Sequence, residues 1–457
     1  MISNINIYLK KSAESSKLAV FRICFGLLML YSMVRFWSKN WIHTIYVEPK
    51  FHFKYYGFEW IQSLGTYTYV LFIICIICSI LITLGLWYRL SIIVFFLSFT
   101  YIELIEKTTY LNHYYFVSLL SFILIFLPAS SCFSIDSILK KKQYSQVPKW
   151  TTDSIKLLMI IVYFYAGLAK INSDWLLEAL PLKIWMPSKY DIPLIGETFL
   201  QYEWVHYLMS WGGMLYDLTI PFLLLNKRTR MIGFFLVLFF HLFTAILFPI
   251  GMFPYIMILS ALVFFDGQTH DKIIKLLKRP ISVFMKKSKV VIVEKLSTFE
   301  YKRPKLILIT LAIFFLVQIV VPFRYVLYPS ELFWSEEGYR FSWRVMLVEK
   351  IGYTTFKIKN KDTGVIFEAP CTNMLTKVQT KQMSFQADMI LEFAHYLGDY
   401  YKKQGLHNIA VFANSYVTLN GRPKEQFIDP SIDLLSIEES FKHKVWIIPY
   451  KYDIKGF

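Results

Sequence analysis

A lysine stands at the end of a long uncharged run in this sequence. Lys170 follows the thirteen uncharged residues 157–169. A helix needs about 20 residues to cross a bilayer, so we expect the span to continue past Lys170 and to hold the amine inside the hydrocarbon boundary. A lysine in that position is costly and usually faces a partner or a cavity. Because desolvation favours its neutral form, Lys170 is a candidate general base.

Two histidines and two acids also fall in or beside apolar runs. His113 begins the fourth predicted span, and His241 lies in the seventh, roughly 13 Å from its outer end at 1.5 Å per residue. Asp217 and Glu103 are predicted as buried acids. A single buried histidine is usually a helix contact, and such acids most often form polar pairs between helices. Taken together, however, Lys170, His113 and His241 predict a cavity open to a lipid-soluble substrate.

The elements that must position these residues are membrane helices. Of the 457 residues, 56% are hydrophobic and 18% are aromatic, and the mean hydropathy is +0.44. These values are far from those of a soluble domain, so we predict an α-helical integral membrane protein. The first apolar run is predicted to be an uncleaved signal anchor. Nine stretches are long enough to span or nearly span a bilayer: 18–37, 67–87, 90–105, 114–129, 154–172, 204–225, 231–249, 252–266 and 305–323.

The distribution of Lys and Arg between the connecting loops predicts the orientation. Connections on the side of the N-terminus carry 22 of these residues, and the opposite connections carry six. The N-terminus is therefore predicted to be cytoplasmic, which places Lys170 and His113 in the extracytoplasmic leaflet. The net charge of +17 is mostly this topology signal, including a basic surface segment at 272–305, and it requires no nucleic acid.

The composition changes after residue 323. Charged and apolar positions alternate from there onwards, which predicts a membrane domain at 1–323 and an extracytoplasmic α+β domain at 324–457. Cys371 is the only cysteine predicted on that side, so an intrachain disulfide in the outer domain is excluded.

Periodicity predicts the elements of the outer domain. Residues 353–359 alternate with period two and reach Val365 through a turn-forming segment, which indicates a β-hairpin. Residues 380–403 are predicted to form an amphipathic helix, and Ile409–Leu419 a further strand.

Segment 163–175 resembles a known family. Its pattern Ala-Gly-x-x-Lys-x-x-x-Asp-Trp is similar to the catalytic-lysine segment of vitamin K-dependent γ-glutamyl carboxylases. On this resemblance the chain is identified as a short, prokaryotic-like member with a horizontally transferred transmembrane domain. Four further segments resemble the family in the same order: 112–115, 211–218, 241–255 and 420–433.

The resemblance implies a reaction and its co-substrates. A reduced vitamin K of the phylloquinol or menaquinol type is deprotonated and reacts with O2 to form an epoxide, which generates a base able to remove a γ-proton from protein-bound glutamate. CO2 then traps the carbanion. No metal is implied. The partners are a Glu-containing protein or peptide and membrane lipid.

The resemblance also suggests roles for individual residues. Lys170 would take the phenolic proton, whose reference pKa is about 10, while His113 would hydrogen-bond the quinol and His241 would stabilise charge deeper in the pocket. Residues predicted to bind the cofactor are Asn112, Tyr114, Asp217 and Tyr165. On the substrate side, Arg340 and Arg344 beside Trp343 are our candidates to clamp the glutamate carboxylate.

The sequence departs from the animal enzymes in three ways. Where they carry a histidine after the Trp motif, this chain offers Val348 or Glu349, depending on the alignment. It also lacks their long C-terminal extension and the cysteine of their inter-domain disulfide. Propeptide recognition of the animal type therefore need not transfer.

Three functions stay open from the sequence. The favoured one is quinol-dependent carboxylation of glutamate, the second is quinol epoxidation without carboxylation, and the third is a non-catalytic quinone- or lipid-binding protein or transporter. The expected location is a prokaryotic inner membrane, or the endoplasmic reticulum in a eukaryote, with the active site towards the extracytoplasmic side.

Overall fold

The long apolar runs fold as helices, because a helix satisfies its own backbone hydrogen bonds within a bilayer. The computed structural model describes residues 2–284 and 294–457. Each predicted span coincides with a helix. These nine are α1 (Ser16–Ser38), α2 (Thr68–Leu84), α3 (Tyr88–Ile105), α4 (Asn112–Phe126), α5 (Lys149–Leu168), α6 (Glu203–Leu225), α7 (Arg230–Leu247), α8 (Phe253–Ala261) and α9 (Pro304–Val320).

Seven of these helices are long and apolar enough to cross a membrane, α2 and α9 together with the 3-10 turns beside them. The other two, α4 and α8, are shorter apolar helices. The structure thus confirms a helical membrane protein with a C-terminal part that contains a sheet, while nine crossings remain a prediction. Shorter or amphipathic helices are Ile2–Leu9, Ile135–Leu139, Ser173–Leu176, Leu182–Trp185, Gly267–Phe284 and Leu332–Ser335.

Small residues let the first helices approach closely. A Cβ added to Gly26 of α1 would lie 2.8 Å from the Ser79 carbonyl oxygen of α2, closer than side-chain carbons come. Contacts of this kind are typical of membrane helix pairs, because dispersion between close backbones replaces the hydrophobic effect there. The close approach of α1 and α2 therefore requires glycine at position 26.

The end of α5 corrects one expectation. We expected this span to continue past Lys170, but α5 ends at Leu168 and begins earlier, at Lys149. Backbone N–H groups of Lys170 and Ile171 donate to carbonyls three residues back, at 3.1 and 3.0 Å, which tightens the chain into a turn. Asn172 then caps the next short helix through its side chain. Lys170 therefore lies in the turn that follows α5.

A small sheet joins three connections at one end of the helices. It contains β1 (Ser12–Glu14), β2 (Lys142–Pro148) and β3 (Glu294–Thr298), with β2 in the centre, antiparallel to β1 and parallel to β3. All three strands lie in connections predicted on the cytoplasmic side. The predicted basic surface segment is helical up to Phe284, and residues 285–293 lie outside the described residues.

The C-terminal domain is built on a four-stranded sheet. Its strands are β4 (Lys350–Asn360), β5 (Ile366–Glu368), β6 (Ile409–Leu419) and β7 (Glu425–Gln426), in the order β5-β4-β6-β7 with every pair antiparallel. The predicted hairpin is confirmed as β4–β5, and the predicted strand as β6. Buried Phe356 of β4 packs against Phe393, with ring centroids 5.3 Å apart.

The helix predicted over 380–403 is two helices, α10 (Lys377–Met383) and α11 (Ala387–Lys403). The break arises where the chain approaches β4. The Thr354 hydroxyl donates to the Ser384 carbonyl at 3.0 Å, and a Cβ added to Gly352 would lie 2.6 Å from the Ser384 carbonyl carbon. The break lets the Ser384 backbone contact β4. The periodicity of residues 380–403 does not reveal this break, because it depends on a contact with another part of the chain.

The C-terminal domain contacts connections at the opposite end from the small sheet. Gln379 of α10 donates to the carboxylate of Glu106 at 2.8 Å and to the carbonyl of Phe51 at 2.7 Å. Gly456 forms a backbone bridge with Asn172, two residues after Lys170. The turn that holds Lys170 is therefore anchored to the C-terminal domain.

Candidate active site

Lys170 forms a buried ion pair with Asp217 of α6. Its Nζ donates to Asp217 Oδ2 at 2.7 Å and to the Ala166 carbonyl at 3.1 Å. Only 6% of Lys170 and 5% of Asp217 is exposed. The Lys170 Nζ also lies 5.4 Å from the centre of the Trp175 ring. Asp217, predicted to bind the cofactor, therefore contacts the lysine directly and compensates its buried charge.

The pair lines a cavity that we name the inner chamber. Its empty volume, including the part open to the surroundings, is about 800 Å³. Apolar and aromatic side chains form most of its wall. Its lining residues include Tyr163, Lys170, Trp175, Asp217, His241, Phe240, Phe248, Phe253 and Met257.

His241 of α7 lies in the wall of the inner chamber. Its Nε2 is 3.0 Å from the hydroxyl of Tyr163, whose oxygen is 3.5 Å from that of Tyr216. The other ring nitrogen, Nδ1, is buried and has no hydrogen-bond partner among the described residues. Because orphaned buried nitrogens are costly, His241 is suited to bind a polar atom of a ligand.

His113 lies in an adjoining cavity, the outer cleft, between the helix ends and the C-terminal domain. The outer cleft has an empty volume of about 2120 Å³ and shares Ile250, Phe253, Val345 and Met346 with the inner chamber. Phe253 stands between the two histidines, with ring centroids 6.2 Å from His113 and 5.8 Å from His241. The structure therefore brings Lys170 and His241 into one cavity and His113 into its neighbour.

The predicted cofactor residues fall in different places. Asn112 and Tyr114 line the outer cleft with His113. Tyr165 lines neither cavity, and its hydroxyl donates to the Ile319 carbonyl at 2.5 Å. Glu103, predicted to be buried, is partly exposed and lines neither cavity. The neighbouring buried acid is Glu106, which is 1% exposed.

Of the three predicted substrate residues, Arg340 lines the outer cleft, whereas Trp343 and Arg344 line neither cavity. Arg340 lines the outer cleft and donates to Asp388 at 2.7 Å. Arg344 is directed elsewhere, donating to the Phe457 carbonyl at 3.1 Å. Trp343 is fully buried in the hydrophobic core. Arg340 is thus occupied by an acid and Arg344 lies outside both cavities, and the predicted clamp stays a prediction.

A partly buried charge network lies behind Arg340. Lys107 donates to Asp388 at 2.8 Å and to Glu392 at 3.1 Å. Burial alone raises the pKa of Asp388, but Arg340 and Lys107 hold that pKa well below its usual range. Burial raises the pKa of Glu392 to about 7, which Lys107 opposes only in part. The two acids of α11 therefore titrate in different pH ranges.

Sequence reasoning missed a clasp between the Lys170 turn and the C-terminal domain. Arg422 donates to both carboxylate oxygens of Asp174 at 2.6 Å, and Asn420 donates to the same carboxylate at 2.7 Å. Both partners stood in segments that resemble the family, but nothing in the sequence paired them.

A second missed contact crosses the cavity boundary. The indole N–H of Trp185, in the inner-chamber wall, donates to the carboxylate of Glu349, which lines the outer cleft. The backbone N–H of Glu349 is held in turn by the Asn420 side chain at 2.8 Å. Among the residues that the structure describes, no cluster of three or more His, Cys, Asp or Glu is placed to hold a metal.

The fold and the site define a class of protein: a helical membrane protein with a buried lysine–carboxylate pair in a largely apolar chamber next to a second domain. The family model of the HTTM domain matches residues 10–268, more than half of the chain, and that of the vitamin K-dependent gamma-carboxylase lumenal domain matches residues 303–453. The chain therefore belongs to the vitamin K-dependent gamma-carboxylase family. No solved structure matches the chain.

The family assignment confirms the resemblance seen in the sequence. It indicates an enzyme with a vitamin K cofactor and a lumenal or extracytoplasmic domain in a membrane context.

Proposed function

We propose that this protein oxidises a reduced vitamin K to its epoxide with O2 and couples that reaction to γ-carboxylation of glutamate in a protein or peptide. The observation that carries the proposal is the buried pair of Lys170 and Asp217, 2.7 Å apart in the wall of the inner chamber. An ionisable pair in an apolar, membrane-facing cavity is suited to proton transfer with a lipid-soluble substrate.

The inner chamber fits a quinol. Aromatic walls match its ring system, while Lys170, Asp217 and the unpartnered Nδ1 of His241 provide a few polar groups for its oxygens. When bound, reduced vitamin K is oxidised by O2 to the epoxide and water and supplies the base that removes a γ-proton from glutamate, after which CO2 forms the new carbon–carbon bond.

Lys170 and Asp217 act as one proton-accepting unit. In the charged pair Lys170 passes a proton to Asp217 across the 2.7 Å hydrogen bond and becomes a neutral amine. That amine then takes the phenolic proton of the quinol, so the pair gains one proton in total. The apolar wall excludes water, which protects a strong base formed there.

Two further residues have roles in this proposal. His241, positioned by Tyr163, stabilises charge in the inner chamber. His113, with Asn112 and Tyr114, lies in the outer cleft and hydrogen-bonds the quinol where the two cavities meet, beside Phe253.

The same proposal includes the topology. We place the N-terminus in the cytoplasm, nine crossings in the membrane domain 1–323, and domain 324–457 on the extracytoplasmic side of a prokaryotic inner membrane. Two observations support this arrangement. The small sheet gathers three basic connections at one end of the helices, and the C-terminal domain contacts the less basic connections at the other.

A second candidate function, epoxidation without carboxylation, is favoured by Glu349. This carboxylate lines the outer cleft at or beside the position where the animal enzymes carry a histidine. A fixed negative charge there repels the carboxylate of a glutamate substrate, so Glu349 is the feature that sets the two candidates apart.

One assay tests both candidates. Purified protein is incubated with reduced vitamin K, O2, labelled bicarbonate and a Glu-containing peptide. Epoxide together with fixed label supports the proposed function. Epoxide alone selects the second candidate, and neither product leaves only a non-catalytic quinone- or lipid-binding protein.

The role of Lys170 has its own test. Lys170→Ala is expected to abolish epoxide formation while expression and membrane insertion stay normal. The matched control is Lys156→Ala, because Lys156 also belongs to this chain segment and pairs with an aspartate, Asp153, at 2.9 Å, but lines neither cavity. Epoxidation retained by Lys170→Ala would remove Lys170 from the mechanism.

A further inference from the structure

The outer cleft contains cationic side chains, some of which form ion pairs with acidic residues of the described chain while others do not. Its cationic residues are Arg35, Lys107, Arg340, Lys350 and Lys381. Lys107 and Arg340 pair with Asp388, and Lys350 pairs with Glu336 at 3.1 Å. Within residues 2–284 and 294–457, Arg35 and Lys381 have no acidic partner. Of these two, Arg35 belongs to the membrane domain.

The environment of Arg35 presents its guanidinium to the outer cleft. Arg35 lies in the last turn of α1, and its guanidinium carbon is 4.9 Å from the centre of the Trp41 ring. Its Nε is buried and finds no hydrogen-bond partner in the described part of the chain. A guanidinium stacked on an aromatic face keeps its in-plane donors available to a ligand.

Arg35 and His113 converge on one recess above Gly251. A Cβ added to Gly251 would lie 3.5 Å from Arg35 Nη2 and 3.4 Å from His113 Nε2. That histidine nitrogen is buried and, among the described residues, also unpartnered, and His113 as a whole is 5% exposed. Gly251 has a φ of 63°, a conformation that disfavours a side chain. The recess therefore combines a cation, an imidazole nitrogen and open backbone.

We propose that this recess is a carboxylate site, in which Arg35 binds the side-chain carboxylate of the substrate glutamate. The planar guanidinium matches a carboxylate in shape and charge. The site lies where the outer cleft meets the inner chamber, since Gly251 and Phe253 are two residues apart and Phe253 lines both cavities. A glutamate held there lies beside the chamber in which the base is formed. The inference rests on the proposed function.

Direct binding tests the site without turnover. The probe is a fluorescent peptide with a single glutamate, compared with the same peptide carrying glutamine, on detergent-solubilised full-length protein without quinol. Wild type is expected to prefer the glutamate peptide. Arg35→Gln is expected to weaken binding of that peptide by about tenfold or more, the factor that loss of one charge-assisted hydrogen bond causes.

Two further variants keep the test decisive. Arg35→Lys retains the positive charge but not the planar guanidinium, so we expect an intermediate loss of affinity for the glutamate peptide. This variant replaces Arg35→Gln in the test if Arg35→Gln does not fold. Lys39→Gln removes an exposed positive charge four residues further on, at the C-cap of α1, and is expected to bind like wild type. A full preference for glutamate in both Arg35 variants overturns the proposal.

The remaining outcomes are also separable. Bicarbonate is also a planar anion, so it is added as a competitor. If wild type then loses its preference for the glutamate peptide, the recess is assigned to bicarbonate and the assignment to glutamate is overturned. A protein that binds the glutamate peptide through Arg35 but forms no epoxide and fixes no label contradicts the proposed function and leaves the carboxylate site intact.

Discussion

At the scale of single residues, the buried charge of Lys170 has to be compensated, and Asp217 provides the compensation. A lysine buried alone would be strongly destabilising, whereas a lysine 2.7 Å from a carboxylate has its buried charge compensated. Catalysis by such a pair requires the carboxylate to be a proton acceptor as well as a counter-ion. The sequence predicted the two residues separately, because no local pattern connects positions 47 apart.

Asp217→Asn separates these two roles. Asparagine keeps a hydrogen bond to Lys170 but cannot take its proton, so we expect epoxide formation to fall on the order of 100-fold, the lower range for loss of general acid–base catalysis. The measurement is the initial rate of epoxide formation at saturating quinol. Asp153→Asn, which alters the Lys156 pair instead, should retain the wild-type rate. A wild-type rate in Asp217→Asn would show that Asp217 is only structural.

At the scale of elements, the sequence predicts what depends on local periodicity and misses what depends on distant contacts. Apolar runs located the helices, and alternation located β4–β5 and β6. The end of α5 was missed because a tight turn and the Asn172 cap stop the helix. The break between α10 and α11 was missed because it is imposed by packing on Gly352 of β4.

The clasp between Asp174 and Arg422 connects two such elements and should position the Lys170 turn. Asp174 is 1% exposed, so removing Arg422 leaves an uncompensated buried charge. We expect Arg422→Gln to lower the free energy of unfolding by about 2–4 kcal/mol and to lower kcat for epoxidation. The double variant Asp174→Asn/Arg422→Gln should lose less than the sum of the single variants.

A surface pair is the control for the clasp. Lys361→Gln breaks an ion pair with Asp433 in which Lys361 is 47% exposed, and it should cost less than about 1 kcal/mol. Thermal unfolding of the solubilised protein and single-turnover epoxidation measure the two effects. Strict additivity of the two clasp variants would argue that Asp174 and Arg422 are not coupled.

Glu392 of α11 makes the stability of the folded protein depend on pH. Its pKa is raised by burial to about 7, so between the ordinary carboxyl range near 4.3 and pH 7 the folded state holds a proton that the unfolded state has released. Stability contributed by this group therefore falls as pH rises through that window. We expect the Tm of wild type to decrease from about pH 5 to about pH 8, and Glu392→Gln to reduce that decrease. Identical pH profiles for the two proteins would contradict the assigned pKa.

At the scale of the whole molecule, the two ends of the helix bundle differ in charge and in fold. One end carries the basic connections and the small sheet, and the other carries the C-terminal domain and both histidine-lined cavities. In the proposed function, a lipid-soluble quinol enters from the membrane and a peptide from the water on that second side. This division of access requires the C-terminal domain to be extracytoplasmic.

Cysteine labelling in intact cells or spheroplasts tests that orientation. Cys371 is a poor reporter, because burial raises the pKa of its thiol to about 11 and little thiolate is present at neutral pH. Two exposed positions serve better, Thr363 in the β4–β5 turn and Lys140 at the opposite end. A thiol reagent that cannot cross membranes should label Thr363→Cys in intact cells and Lys140→Cys only after permeabilisation. The reverse pattern would invert the topology and place the outer cleft in the cytoplasm, where an extracytoplasmic peptide cannot reach it.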